Sequence, residues 1–462
     1  MSRPEKVPRV VVVGSGFAGF HCARTLDRRL GRAANLSLIN SVDHMVYSAL
    51  LPDVVGGVVD PKSIATPLAA SLSHTNVVVG TVTSVDLDRQ TCTVDGVENR
   101  GLVLGWDRLV LNPGSVSQTF GIKGVEQHAH GFKTLSEALF LRERILSRLQ
   151  LAATTNDPTE RERHASFVVV GGGFTGLELA AQGRALARRA LRQHPGLNVE
   201  SVRWTVIEAG KTVLDQFPER LARRAVNRLE SGGVQVRIDA PVAEVESDQV
   251  RLENGESIST DTVVWTAGVT PPPLISQLGL GLDHGRLIVD DWLKTPDHPN
   301  VFALGDAAAV PDITEHGQPA AQTAQNAQRQ GVAAARNVAA SLGYGKARVY
   351  KHRNLGFVVD LTGRNAIATP LGLKLSGVSA EVAGRAYHLR ALPSGRLRVL
   401  SEWVNALLSG RQIVEIGLID ERYATIEAED DGGSEPEIPR PAGRTRRRSS
   451  FGAPNVKEKS DT

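Results

Sequence analysis

Cysteine is nearly absent from this chain of 462 residues, which has only Cys22 and Cys92. The two cannot form a Cys-x-x-Cys pair, which excludes an active-site disulfide of that kind as the route for electrons. Sparse cysteine also fits a reducing compartment. Long apolar runs are lacking too, and no stretch is long enough to span a bilayer. Met1 to Arg9 runs straight into an apolar strand with no signal-peptide pattern. Neither sign of charge dominates: 53 Lys and Arg against 50 Asp and Glu leave a net +3, so no polyanionic partner is called for and no nucleic acid is expected. The 12 histidines are scattered without His-x-x-x-His or Cys/His spacing, and no metal is expected. Peripheral attachment to a membrane stays open.

Glycine, by contrast, is plentiful and patterned. Gly14-Ser15-Gly16-Phe17-Ala18-Gly19 directly follows the apolar run Val10 to Val13. Gly171-Gly172-Gly173-Phe174-Thr175-Gly176 directly follows Phe167 to Val170. Each reads as strand, tight turn and helix, the arrangement that lets backbone approach a pyrophosphate resting on a helix N-terminus. A chain holding two dinucleotides is most simply one that passes electrons between them. The length suits about three domains, and 41% hydrophobic with 22% charged residues is ordinary for a globular protein.

The two units share a plan. Val10 to Asn40 predicts strand, helix, strand; Asn76 to Val82 and Leu102 to Leu104 are candidate strands; Leu109 to Ser115 predicts a buried strand closing in a tight turn. Thr134 to Ala153 predicts a long amphipathic helix and Thr154 to Pro158 a loop. The second unit starts at Ser166, continues through Arg203 to Glu208, and closes at Thr262 to Gly268. Hairpin-like runs between carry the turn signals Ser231-Gly232-Gly233 and Asn254-Gly255. Composition changes near Tyr344, where a smaller domain begins. From Glu427 the chain loses apolar periodicity and becomes acidic, proline-rich and then arginine-rich, which predicts a disordered, solvated tail.

The residue ending the second strand of such a unit normally grips a ribose 2′-hydroxyl. In the second unit this is Glu208, whose carboxylate repels a 2′-phosphate, and Ala209 and Gly210 supply no cation, so NADH is expected over NADPH. In the first unit the position is Asn40, whose uncharged amide can still bind a ribose. Asn300 to Ala307 predicts a strand ending in Gly305-Asp306, and this resembles the second FAD fingerprint of two-dinucleotide flavoproteins. There the aspartate accepts hydrogen bonds from the ribityl chain and the glycine allows close approach.

With those stretches in place, the chain from about Arg9 to Asp420 resembles the type II NADH dehydrogenases, single-subunit NADH:quinone oxidoreductases. Tyr47-Ser48-Ala49-Leu50-Leu51-Pro52 resembles the family's loop under the flavin, with Ser48 and Ala49 departing from it. Phe120 to Val125, Val264 to Val269 and Gln322 to Gly331 resemble further family stretches. The fold implied is α/β, with two Rossmann-like dinucleotide-binding domains on a glutathione-reductase-like plan, a smaller C-terminal membrane-docking domain, and the tail. The boundaries expected are 8–120 with 270–345 for FAD, 121–269 for NADH, 346–424 for the C-terminal domain and 425–462 for the tail.

The resemblance implies FAD as cofactor and NADH as substrate, with hydride passing to the flavin and two electrons to a membrane quinone. Flavin contacts are implied at Gly14, Ser15, Gly16, Phe17, Ala18, Gly19, Asn40, Ser41, Ser48, Val82, Asn112, Pro113, Gly114, Gly305, Asp306, Ala324 and Gln325. NADH contacts are implied at Gly171, Gly173, Phe174, Gly176, Glu178, Glu208, Ala267 and Gly268. Glu178 matches a family glutamate between nicotinamide and flavin, and a buried carboxylate there suits proton relay. Gln325 matches the first of two quinone-site glutamines. Arg329 stands where the second is expected, which leaves open both a hydrogen bond to quinone oxygen and a different acceptor.

Tyr387 to Pro393 leads to a predicted helix, Arg396 to Ser409, with Leu397, Leu400, Trp403, Val404, Leu407 and Leu408 at helical spacing. That stripe suits a membrane interface with Trp403 as anchor, or packing on its own domain or a second subunit, so a homodimer stays possible. The location implied is peripheral, on the cytoplasmic side of the cell membrane against inner-leaflet lipid, with soluble cytoplasmic as the alternative. Two other readings remain: the same chassis with a non-quinone acceptor, and a flavoprotein that binds NADH as a redox signal.

Overall fold

A computed structural model describes residues 7–96, 100–314, 318–352, 354–411, 413, 414 and 426. The tail read at 425–462 lies outside the described residues, Ile426 excepted. In chain order the elements that position the site are β1 (Arg9–Val13), α1 (Phe17–Leu30), β2 (Asn35–Asn40), α2 (Leu51–Val55), β3 (Thr75–Val79), β4 (Arg108–Leu111), β5 (Ala129–His130), α3 (Leu135–Thr154), β6 (Ser166–Val170), α4 (Phe174–Ala190), β7 (Arg203–Ile207), α5 (Glu219–Ser231), β8 (Val234–Arg237), β9 (Val263–Trp265), β10 (Val301–Ala303) and α6 (Ala324–Ser341). A C-terminal unit adds β11 (Val358–Val359), β12 (Ile367–Ala368), β13 (Leu375–Ser376), α7 (Val378–Ala391) and α8 (Arg396–Leu408).

Two parallel five-stranded sheets form the frame, in the orders β10-β4-β1-β2-β3 and β5-β9-β6-β7-β8. The glycine strand is central in each, β1 in one and β6 in the other. Both strands are buried runs of branched residues, as expected of parallel strands covered on both faces. Each half also carries a three-stranded antiparallel sheet, at Thr81–Asp86, Thr91–Asp95 and Leu102–Gly105, and at Val242–Val245, Gln249–Leu252 and Ser257–Ser259. The duplication read from the sequence is thus strand for strand, except at the outer edge. There the first sheet is completed by β10, which follows the whole second unit.

Helices α1 and α6 lie against each other over the first sheet, and Gly331 sets their spacing. A Cβ on Gly331 would fall 2.1 Å from the Ala18 carbonyl oxygen. Helix α3 begins with a capping box in which Thr134 and Glu137 bond each other's backbone N–H, the local reason that this helix starts where it does.

Three local readings are corrected. Ser231-Gly232-Gly233 is the C-terminal cap of α5 and not a hairpin turn; Gly233 takes φ +86° after the helix. Asn76 to Val82 is broken at Gly80, where the chain leaves one sheet for another and a Cβ would meet the Asp95 carbonyl oxygen at 2.8 Å. Tyr387 to Ala391 is no lead-in to the last helix but the end of α7, whose weak amphipathicity hid it. Asn254-Gly255 does turn a hairpin.

Gly331→Ala should separate α6 from α1 and destabilise the protein by roughly 1–3 kcal/mol, the usual cost of overpacking. Denaturant unfolding followed by helical circular dichroism measures this, and an unchanged midpoint would contradict the close packing.

Candidate functional site

The two glycine turns are built alike, bond for bond. Gly14 N–H donates to Ile39 O and Gly171 N–H to Ile207 O, each at 2.8 Å, so each turn is tied to the end of the second strand. Gly19 and Gly176 then let the helix lie on the turn, since their Cβ atoms would fall 1.9 and 2.0 Å from the Gly14 and Gly171 carbonyl oxygens. The helices that follow, α1 and α4, start at Gly16 and Gly173 with no side-chain cap. Apart from Gly19 N–H, which Asn112 takes, their first-turn N–H groups are left for an external acceptor such as a phosphate. A side chain added at Gly173 would enter open space, which leaves room for a ligand over that turn.

The strand-end residues also correspond. Ser15 N–H donates to Asn40 Oδ1 at 2.8 Å, and Gly172 N–H donates to Glu208 Oε2 at 2.7 Å. Asn40 Nδ2 donates to Val42 O at 2.8 Å, while Glu208 Oε1 accepts from Gly210 N–H at 2.7 Å. Both side chains brace their own turn. A carboxylate with about four lone-pair sites retains capacity for ribose hydroxyls after two such bonds. Lys211 and Arg237 lie near in sequence and sheet, but Arg237 is paired with Glu256 at 2.7 Å.

In the first unit, Asn112, buried at the end of β4, fills the angle between turn and helix. With its amide set to suit its neighbours, it donates to Leu304 O at 3.1 Å and accepts from Gly19 N–H at 2.9 Å. Thr266 occupies the matching place in the second unit and donates from its hydroxyl to Val170 O at 2.8 Å. Pro113 and Gly114 are half-buried, and Gly114 takes φ +83°. Gly305 adopts φ +70° beside Asn112, and its N–H donates to Gln330 Oε1 at 2.8 Å. The next residue, Asp306, accepts at Oδ2 from the Ser115 hydroxyl at 2.8 Å. Ser115 in turn accepts at both its oxygens from the Lys133 ammonium. Lys133 was not singled out in the sequence, since a lone lysine before a capping box carries no signal. The other flavin-side residues fall nearby or apart as follows: Phe17 and Ala18 open α1, Ser48 and Ala49 lie in a half-buried turn before α2, and Ser41 is exposed. Val82 is buried on an antiparallel strand opposite Val94. Ala324 is the first residue of α6, capped by Thr323. Ala267 and Gly268 follow β9, with Gly268 at φ +88° under Phe120.

Glu178 lies in the first turns of α4 and accepts from Asp360 N–H at 2.9 Å. It lines a small cavity of about 30 Å³, together with Asp53, Gln182, Asp360, His388 and Trp403. That volume holds a water or two at most. Burial pushes the Glu178 carboxyl well above the ordinary range, and the neighbouring Asp360 and Asp53 charges add to the shift, although the Asp360 N–H opposes it. Burial likewise raises Asp53 to about 6 and lowers His388 to about 4.

Asp53 ties three parts of the chain together. Its carboxylate accepts from Gln182 Nε2 of α4 at 2.6 Å and from Trp403 Nε1 of α8 at 3.0 Å. Arg411 donates from Nη1 to Gln182 Oε1 at 2.7 Å and to Gly56 O at 2.9 Å. A Cβ on Gly56 would sit 2.4 Å from that nitrogen, so a side chain there would displace the guanidinium from this position. Arg385, paired with Glu381 at 2.7 Å, lies over the Trp403 ring at 5.3 Å. Asp53, Gln182 and Arg411 were not read from the sequence; the only trace is Gly56-Gly57 after the Leu-Leu-Pro loop.

The two residues expected at a quinone site lie one helical turn apart on α6. Gln325 accepts at Oε1 from Leu355 N–H at 2.9 Å and donates from Nε2 to Gly356 O at 3.3 Å, so its amide holds the strap before β11. Arg329 is half-buried, and its charge acts on Tyr350 and Tyr387; burial and Asp312 nevertheless push Tyr350 up to about 12. Tyr47 meets His388 with its hydroxyl 3.1 Å from Nδ1 and packs edge-on against Phe17. Phe174, Phe217 and Phe357 form a second aromatic group, with ring centres 5.4 to 5.9 Å apart, beside the second turn. Cys22 and Cys92 are both buried, on α1 and in an antiparallel sheet, and burial raises both thiols. Among the described residues no group of three or more His, Cys, Asp or Glu could hold a metal ion.

Comparison with known proteins bears on this geometry. Residues 8–331 match the pyridine nucleotide-disulphide oxidoreductase family. The chain is 31% identical over 405 residues to the type II NADH:quinone oxidoreductase NdhA of Mycobacterium tuberculosis, covering 85% of each chain. It is 30% identical over 401 residues to the demethylphylloquinone reductase NdbB of Synechocystis, covering 84% of this chain and 93% of that one. The fold matches NDH2 from Plasmodium falciparum, solved in complex with NADH, with TM-score 0.82 at 17% identity over 88% of this chain and 100% of that one.

Asp53 generates a pH signature. Its carboxyl is raised in the fold, so the folded state holds a proton that the unfolded state has released between about pH 4 and 6. Its stabilising contribution is present below about pH 4 and lost as pH rises to about 6. Relative to Asp53→Asn, the wild type should lose roughly 3 kcal/mol of stability across that window and no more above it. Urea unfolding at a series of pH values checks this; parallel curves for the two proteins would contradict it.

Proposed function

The chain belongs to the type II NADH:quinone oxidoreductases of the pyridine nucleotide-disulphide oxidoreductase family, and on that premise we propose roles for its own residues. The protein is an FAD-dependent oxidoreductase that takes a hydride from NADH and delivers two electrons to a quinone. The observation that carries the assignment of residues is the pair of uncapped glycine turns, each tied to the end of its neighbouring strand by the same bond.

In the first unit the N–H groups opening α1 would hold the FAD pyrophosphate, Asn40 would serve the ribose, and Asp306, steadied by Ser115 and Lys133, would accept from the ribityl hydroxyls. FAD, when bound, supplies the ring that accepts the hydride and releases electrons to the quinone. In the second unit α4 holds the NADH pyrophosphate, Glu208 grips the adenosine ribose, and Gly171, Gly173, Phe174, Ala267 and Gly268 shape the channel. Glu178, whose carboxyl burial raises well above the ordinary range, holds a proton and is placed to pass it on. Gln325 sets the strap over the flavin side and Arg329 faces the acceptor. The working division of the chain is 8–120 with 270–345 for FAD, 121–269 for NADH and 346–424 for the C-terminal unit.

The C-terminal unit carries the membrane reading. Val399 and Trp403 of α8 are buried, whereas Leu397, Leu407 and Leu408 are 82%, 70% and 83% exposed. Leu400 and Val404 lie between them on the same face, and Leu371, Leu373, Val378, Val382 and Val414 are exposed around it. Among the described residues no helix is long and apolar enough to cross a membrane. The face therefore seats in one leaflet, the cytoplasmic one, as an interfacial patch.

Two measurements test these roles. Glu208→Ser with Ala209→Arg should raise the NADPH/NADH ratio of kcat/KM for quinone reduction by on the order of a hundredfold, because a like charge beside the phosphate costs several kcal/mol. An unchanged ratio would remove Glu208 from the ribose site. Leu397→Gln with Leu408→Gln should weaken sedimentation with lipid vesicles on the order of a hundredfold while ferricyanide-linked NADH oxidation persists. Unaltered vesicle binding would refute the interfacial patch, and loss of a dimer in its place would assign the face to a second copy.

A further inference from the structure

Beside the exposed face of α8 lies an open groove that the nucleotide chemistry does not use. It runs between α1, the one-turn helix Pro61–Ile64 and the start of α8, and Arg24, Lys62, Arg396 and Arg398 line it. Among the described residues none of these four cations is in an ion pair. Of the carboxylates close by, Asp43 itself lines the groove, and Asp60 accepts from the Lys62 backbone N–H at 2.9 Å. Asp43 is bonded to His44 Nδ1 at 2.8 Å. Glu402 takes Ser63 Oγ at 2.6 Å and Asp60 N–H at 3.2 Å. Arg396 is steadied by Leu392 O and Arg390 O, at 2.9 and 3.1 Å, and keeps its charge. Arg24 feels the like charges of Arg28 and Arg396, which, after burial, push its guanidinium below the usual value. Four basic side chains thus line the groove against one lining carboxylate, Asp43, so its wall carries net positive charge.

The position of this charge is as telling as its sign. Arg396 and Arg398 lie on the two flanks of the α8 stripe that Leu397, Leu400, Val404 and Leu408 define. Leu397 itself lines the groove and is 82% exposed. A helix that seats its leucines among acyl chains brings flanking arginines to the headgroup level, where long basic side chains reach phosphates.

We infer that this groove binds the phosphodiester headgroups of anionic phospholipid, so that the protein docks selectively on an anionic leaflet. The inference rests on the interfacial reading of α8 and adds to it a lipid preference and the four residues that set it. Arg24 and Lys62 belong to the flavin-binding half of the chain. Headgroup binding therefore clamps that half to the same surface as the C-terminal helices and fixes the orientation in which the molecule sits.

The test uses the full-length holoenzyme with vesicles of phosphatidylcholine alone and of phosphatidylcholine mixed with phosphatidylglycerol. Each basic residue near an anionic surface tightens binding about fivefold. Lys62→Gln with Arg398→Gln removes two side chains that bond nothing else among the described residues. This variant should bind the anionic vesicles roughly twentyfold more weakly than wild type and the neutral vesicles equally well. Added salt should erase the difference. Ferricyanide-linked NADH oxidation should be the same for both proteins, which checks that the fold is retained. Arg24→Gln, at the opposite wall, should give a further loss of about fivefold on anionic vesicles. Equal binding of wild type to both vesicle types, or equal binding of wild type and variants to the anionic ones, would overturn the headgroup site and leave apolar docking standing. Binding to neither vesicle would overturn docking as well.

Discussion

Everything in this molecule depends on a contact that only a missing side chain permits. At Gly19 and Gly176 a Cβ would lie within about 2 Å of the carbonyl oxygen of the turn glycine, so helix and strand meet backbone to backbone. That approach aims the uncapped start of each helix at one point, over the end of the central strand. A pyrophosphate bound there meets several N–H groups and the positive end of a helix dipole at no cost in reorganisation. The same approach brings the end of the second strand within reach of the turn, and Asn40 and Glu208 bond it at nearly equal distances. The difference between the two residues is charge: the first frame ends in a neutral amide and the second in a carboxylate.

Between the frames, desolvation governs the chemistry. Glu178 and Asp53 face a cavity too small for bulk water, and each is driven toward its protonated form by burial before any neighbour acts. The cavity is closed by the C-terminal unit. Asp360 supplies the N–H that bonds Glu178, Trp403 and Arg411 reach Asp53 and Gln182, and His388 meets Tyr47 beside Phe17 of the first turn. The helices that present an apolar face outward are thus the ones that cover the proton-holding carboxylates inside. The exposed apolar face and the interior cavity share one element, α8, whose Trp403 lies on one side and whose leucines lie on the other.

Much of the frame was legible in the sequence because glycine spacing and apolar strands are local signals. Both turns, the closing strands and the long capped helix stand where their motifs put them. The places of Glu208 and Asp306 at the ends of strands were legible because each follows a buried apolar run. What escaped was long-range or weakly patterned. Asp53, Gln182 and Arg411 come from three separate segments, and their meeting depends on Gly56 admitting a guanidinium. Lys133 reaches Ser115 across the fold. Helix α7 lacks a clear polar and apolar face because it exposes Val378 and Val382 while burying the small residues Ala380 and Gly384. Ser231-Gly232-Gly233 misled because the same dipeptide signal serves hairpins and helix caps. At Gln325 the family resemblance pointed to a substrate contact, while the fold binds its amide to the Leu355–Gly356 backbone.

One chain that carries electrons from NADH through its flavin to a quinone should not accumulate reduced flavin when quinone is present. Rapid mixing settles this: the holoenzyme is mixed with NADH alone, and then with quinone in lipid, while flavin absorbance is followed. The account predicts bleaching by NADH and return of the oxidised spectrum on quinone addition within one steady-state turnover time. A reduced flavin that persists with quinone yet recovers at once with ferricyanide would contradict it, and would place the natural acceptor elsewhere.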